Sequence, residues 1–89
     1  MKKKEVRRKV QRIVDGDTFQ VRNKVEGSQY IRVAGKNTPE RGERGYESAK
    51  RELARQIGGS TVTIRPVGRS YGRTVAEVPA VKRIKKKKK

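Results

Sequence analysis

Asp15-Gly16-Asp17-Thr18-Phe19-Gln20-Val21-Arg22 decides how this chain folds. An Asp-Gly pair is a strong turn signal, and the residues after it alternate, with Phe19 and Val21 on one face of a strand and Thr18 and Gln20 on the other. Upstream, residues 6–14 mix basic side chains with Val6, Val10, Ile13 and Val14 and stop at the turn. The two runs predict an antiparallel hairpin. The alternation of the first slips near Gln11, which predicts a β-bulge there.

Working outward, residues 23–29 contain Glu26-Gly27-Ser28 and read as a polar turn. Ile31 and Val33 then alternate as a third strand, with Arg32 between them facing the other way. From residue 37 to 45 the only apolar side chain is that of Pro39, and two glycines interrupt the charges, so this stretch reads as an exposed loop. Residues 46–57 put Tyr46, Ala49, Leu53 and Ile57 on one helical stripe, and Gly58-Gly59 ends it. Residues 61–64 predict a fourth strand that Pro66 closes or marks as an edge. A turn over 68–72 and a fifth strand over 75–81, weakened by Pro79, complete the chain.

The order is β-β-β-α-β-β, a mainly β chain with one helix. Five short strands and one helix are the parts of an OB-type barrel, or of a half-open sheet packed on the helix. Order alone leaves both open. With 89 residues there is room for one small domain with a thin core. The expected layout is a basic arm over 1–5, a folded unit over 6–81 and a solvated, disordered lysine tail over 82–89.

Charge narrows the partners. The chain carries 26 Lys and Arg against 9 Asp and Glu, a net of +17. Seven of the basic residues fall in residues 1–12 and seven in 82–89, so the ends hold most of the excess. Such a polycation fits DNA or RNA first and an anionic membrane surface a distant second. There is no cysteine and no histidine, which excludes disulfides, zinc sites of the usual ligands, and Ser-His or Cys-His nucleophile systems. What chemistry remains uses carboxylates, Arg, Lys and a metal. No apolar run approaches the roughly 20 residues needed to span a bilayer, and no signal-type segment follows Met1, so a cytoplasmic protein is expected.

Four ordered pieces carry a more specific signal. Asp15-Gly16-Asp17-Thr18, Ile31-Arg32-Val33-Ala34-Gly35 with Thr38-Pro39-Glu40, Gly45-Tyr46-Glu47-Ser48-Ala49-Lys50, and Tyr71-Gly72-Arg73-Thr74-Val75-Ala76-Glu77-Val78 resemble the staphylococcal nuclease (thermonuclease-like) family in order and spacing, over residues 6–79. The resemblance implies a five-stranded OB barrel and Ca²⁺-dependent hydrolysis of phosphodiester bonds in DNA and RNA with little sequence preference. It assigns Arg32 and Arg73 to gripping the scissile phosphate and Glu40 to positioning or deprotonating the attacking water. Asp17, Asn37 and the Thr38 carbonyl fall at the metal positions, with Asp15 as a supporting acid. Tyr71, Lys36 and Arg69, and in the tail Lys82, Arg83 and Lys85, are the candidate nucleic-acid contacts.

Those residue types suit the chemistry on their own terms. A hard cation takes oxygen ligands, a planar guanidinium pairs with two phosphate oxygens at once, and a carboxylate orients water and accepts its proton. Two departures weigh the other way. Asn37 stands where the family usually has a second metal-binding Asp, so the shell loses one negative charge, and Lys36 beside it adds a positive one. The family's C-terminal helices also have no counterpart, since Val81 leads directly into basic residues; a monomer or a weak homodimer would follow. The second expectation is therefore a non-catalytic OB-fold nucleic-acid-binding protein with a degenerate metal site.

Overall fold

A computed structural model describes residues 5–81. The hairpin forms at the predicted turn. β1 (Val6–Asp15) and β2 (Thr18–Val25) run antiparallel with Asp15 opposite Thr18. The register slips between Val10 and Arg12, leaving Gln11 as the bulged residue, and slips again between Ile13 and Asp15. Bulges bend a strand and increase its twist. Here they let β1 serve two partners: Val6 to Lys9 pair with β4 (Thr61–Ser70), while Val10 to Asp15 pair with β2. With β3 (Ser28–Val33) and β5 (Arg73–Glu77), which lie parallel, the strands close into a barrel in the order β1-β2-β3-β5-β4. The half-open sheet is thus excluded in favour of an OB-like closed barrel.

α1 (Tyr46–Ile57) has the predicted bounds and turns Tyr46, Leu53 and Ile57 inward. Its N-cap, Gly45, has φ +89°, a conformation that glycine adopts without a Cβ penalty, and it supplies no side-chain cap. The core joins Leu53 and Ile57 to Phe19, Val21, Ile31, Ile64 and Ala76, all without exposed surface.

Strand limits differ from the sequence expectation in three regions. The turn expected over 23–29 shrinks to Glu26-Gly27, because Val25 is buried and Ser28 Oγ donates to Gly72 O (2.8 Å), holding both strand ends in place. The fourth strand does not stop at Pro66 but runs on to Ser70. Pro66 lies just after β4 exchanges β1 for β5, beside a register slip before Gly68, where a missing N–H is tolerated. The turn after it is only Tyr71-Gly72, so the last strand starts at Arg73 and ends at Glu77. Val78 and Val81 are buried but belong to no strand.

Of the expected basic arm, Glu5 is described, and it pairs with Arg65 of β4 at 2.8 Å. Residues 1–4 and the tail over 82–89, with Lys82, Arg83 and Lys85, lie outside the described residues. Among the described residues no helix is long and apolar enough to cross a membrane.

Candidate functional site

One open cleft of about 410 Å³ is lined by Asp15, Asp17, Arg32, Asn37, Thr38, Pro39, Glu40, Arg41 and Arg73. The residues come from the β1–β2 turn, the end of β3, the loop before α1 and the first position of β5. All seven residues assigned to catalysis or metal binding from the sequence meet here.

The β1–β2 turn is the anchor. A Cβ on Gly16 would sit 2.7 Å from Ala49 Cβ and 3.0 Å from Thr38 Oγ1, so only glycine lets the turn press this closely on α1 and the loop. That contact fixes Asp15 and Asp17 on either side of it and sets Thr38 beside them. The Tyr46 hydroxyl donates to Asp15 Oδ1 (2.7 Å) and lies 3.2 Å from Val14 O. The bond to the carboxylate, helped by burial, raises the Tyr46 pKa above its ordinary value.

Arg32 reaches across the cleft mouth. Its Nη2 lies 3.4 Å from Asp17 Oδ2, 3.5 Å from Asn37 Oδ1 and 3.5 Å from the Lys36 carbonyl. Asp17 is held from its other oxygen: Thr18 Oγ1 donates to Asp17 Oδ1 (2.9 Å) and accepts from Arg73 Nη1 (3.3 Å). Thr18 is opposite Arg32 in the β2–β3 register, so the buried hydroxyl links the two arginines through Asp17. The backbone adds to this brace, with Val33 N–H donating to Asp17 O (2.8 Å).

Glu40 stands at the exposed rim. Its N–H donates to Glu43 Oε1 (2.7 Å) and its carbonyl accepts from Glu43 N–H (2.8 Å), a reciprocal pair that shapes the loop where Glu40 lines the cleft. Lys36 is half-buried and does not line the cleft. Desolvation lowers its pKa, against the opposing pull of the Asp17 and Glu52 carboxylates.

The other proposed nucleic-acid contacts are more scattered. Tyr71 is 94% exposed at the tip of the β4–β5 turn, two residues before Arg73. Its φ of +49° is uncommon for a bulky residue and is imposed by the two-residue turn it shares with Gly72. Arg69 does not line the cleft: its Nη1 donates to Glu26 O (2.7 Å), tying the β4–β5 hairpin to the β2–β3 turn.

Asp17, Asn37 and the Thr38 carbonyl offer oxygen donors only, the kind a hard cation takes. Asp17 Oδ2 and Asn37 Oδ1 both flank the single Arg32 Nη2. The donors therefore fit such an ion in kind, although their charge is low, and among the described residues no three His, Cys, Asp or Glu side chains group around a metal position.

Thr18, Arg41 and Tyr46 belong to this site and were missed in the sequence. Thr18 read as an ordinary strand residue and Tyr46 as part of the helix stripe. The useful signal for Thr18 was its place at the first strand position after the turn, where its side chain shares a face with a cross-strand arginine. Compared with protein-family models and with curated proteins, the chain gives no match.

Proposed function

We propose that this protein is a metal-assisted nuclease of the thermonuclease-like kind, hydrolysing phosphodiester bonds of DNA or RNA. The observation that carries this reading is the convergence of two arginines, a free-standing carboxylate and an all-oxygen donor set from four separated pieces of chain in one cleft. A buried structural network has no need of an exposed glutamate opposite two guanidinium groups.

Arg32 and Arg73 bind the non-bridging oxygens of the phosphate and neutralise the charge that builds on them as the phosphorus becomes five-coordinate. Arg32 exchanges its contacts with Asp17 and Asn37 for the phosphate. Arg73 keeps its orientation through Thr18. Glu40 orients a water for in-line attack and takes its proton, and the loop pair with Glu43 holds Glu40 at the rim. Asp17, Asn37 and the Thr38 carbonyl are the residues to hold Ca²⁺, which when bound supplies further electrophilic stabilisation of the phosphoryl group. Tyr71, exposed beside Arg73, offers a face for a neighbouring base.

The test is cleavage of single-stranded DNA and RNA by purified protein with Ca²⁺ titrated against a chelator. Turnover is expected with Ca²⁺ and not with chelator. No cleavage above an Arg73→Ala control would overturn the reading.

A second reading, a barrel that binds nucleic acid without cutting it, is favoured by one observation. Arg32 already pairs with Asp17 and Asn37, and a shell with one carboxylate competes weakly for that position. In that case binding is equally tight with and without Ca²⁺ and no product forms.

A further inference from the structure

We infer that the splay between β1 and β2 is a second groove for the phosphate backbone, which holds the flank of a polynucleotide engaged in the Arg32–Arg73 cleft; this rests on the nucleic-acid reading above. The groove opens because β1 leaves β2 at the Gln11 bulge to pair with β4. Beyond Val10 and Val21 the two strands no longer exchange ladder bonds, and an open cleft of about 560 Å³ lies between them. Arg8, Lys9 and Arg22 line it, with Val10 and Asn23, and no carboxylate does.

Two of the three cations lie across the splay from each other. Were the Val10–Val21 register to continue, Lys9 would stand opposite Arg22, a like-charge pair that strand pairing disfavours, and the two strands are unpaired there. Neither side chain has a hydrogen bond or ion pair among the described residues, whereas Glu5, Asp17 and Glu52 pair with arginines elsewhere. Arg8 spans the groove: its Nε donates to Asn23 O of β2 (3.3 Å) and its Nη1 to Arg7 O (2.9 Å). An anion placed between Lys9 and Arg22 turns their repulsion into attraction to a shared partner.

The spacing points to a polymer. Arg22 is five residues along β2 from Asp17, at most about 17 Å in an extended strand. The rise along a duplex axis is about 3.4 Å per nucleotide and a single strand extends further, so at most about five nucleotides separate the two positions. A trinucleotide reaches one groove; a longer chain reaches both.

The experiment measures binding of a fluorescent trinucleotide and a 20-mer in chelator, over a range of salt, for wild type, Lys9→Gln/Arg22→Gln, Lys9→Arg/Arg22→Lys and Arg73→Ala. The Gln pair is expected to weaken the 20-mer roughly tenfold near physiological salt, to flatten its log-log salt slope by about 1.4 to 1.8, and to leave the trinucleotide unchanged. The charge-preserving exchange is expected to bind like wild type. Melting of the Gln pair is expected to be unchanged or higher, since a like-charge pair has been removed. An unaltered 20-mer slope, or an equal loss for both lengths, would overturn the groove. So would loss of binding to anionic phospholipid vesicles with the 20-mer unaffected, which would assign the patch to a membrane surface. Failure of Arg73→Ala to weaken the trinucleotide counts against the cleft instead, and leaves the length dependence of the Gln pair to be read separately.

Discussion

At its closed end the β1–β2 hairpin packs Gly16 against Ala49 and Thr38 and places Asp15 and Asp17 where each has fixed partners. At its open end the same two strands part at a bulge and present Arg8, Lys9 and Arg22 with no acid among them. The closed end mixes signs and gives each acid a fixed partner. The open end has one sign and determines little beyond where an anion will collect. Chemistry on a phosphate needs the first kind of surface, because rate depends on geometry; holding a flexible chain needs only the second.

The largest effect expected from this contrast is on turnover. Arg73→Ala removes a guanidinium held in place through Thr18 and Asp17, and a loss of about 100-fold or more in cleavage rate is expected, the scale for removing one preorganised donor to a developing oxyanion. Lys9→Gln, at the open end, is expected to leave the rate on a trinucleotide unchanged. Single-turnover kinetics on the short substrate measure both. A comparable fall for the two would erase the distinction.

Stability divides the same way. Gly16→Ala forces a Cβ to within 2.7 Å of Ala49 Cβ, and a cost of about 2 kcal/mol is expected from the shift of α1 or the turn. Gly59, beside the open groove, has empty space where its Cβ would go, so Gly59→Ala pays only for its φ of +75°, about 1 kcal/mol. Urea unfolding of the two variants gives the comparison directly, and a larger loss at Gly59 would show that the open end is the more tightly packed.

What could be read from the chain follows the range of the interactions. The hairpin turn, the slip at Gln11 and the limits of α1 are written in local periodicity, and the folded barrel keeps them. The ends of β2, β4 and β5 are not, because what extends them is distant. Val25 belongs to a strand since it is buried, Ser28 since Gly72 O accepts its hydroxyl, and Pro66 since a bulge removes the demand on its missing N–H. At the cleft, the charged residues stood out as motifs. Thr18 and Tyr46 did not, because a hydroxyl takes its meaning from what the fold sets against it: an arginine for one and an aspartate for the other.

Asn37 is where the closed end is weakest in charge, and Asn37→Asp sharpens the comparison. A second carboxylate beside Arg32 Nη2, which Asp17 Oδ2 and Asn37 Oδ1 both flank, adds a full negative charge to the oxygen set. Apparent Ca²⁺ affinity is expected to rise about tenfold, as cation affinity in oxygen sites follows ligand charge count. Calorimetric titration of Ca²⁺, with the rate at limiting Ca²⁺ beside it, tests this. An unchanged affinity would mean that Arg32 keeps the position against the ion, which favours the non-catalytic barrel.

The smallest effect belongs to Tyr46→Phe, which keeps the ring in the helix interface and deletes only the hydroxyl. Asp15 then loses a donor and Val14 O a neighbour, and a fall of a few degrees in Tm is expected at neutral pH. The pH dependence identifies the cause. The folded protein holds the Tyr46 proton more tightly than the unfolded chain does, so its hydrogen bond to Asp15 stabilises fully below the ordinary phenol pKa of 10.0 and is lost as pH rises through the higher folded value. The gap in Tm between wild type and Tyr46→Phe should therefore hold steady from neutral pH to near 10 and close above it. A gap that persisted into stronger base would assign the loss to repacking of α1, and the Asp15 side of the closed end would then owe its position to Gly16 alone.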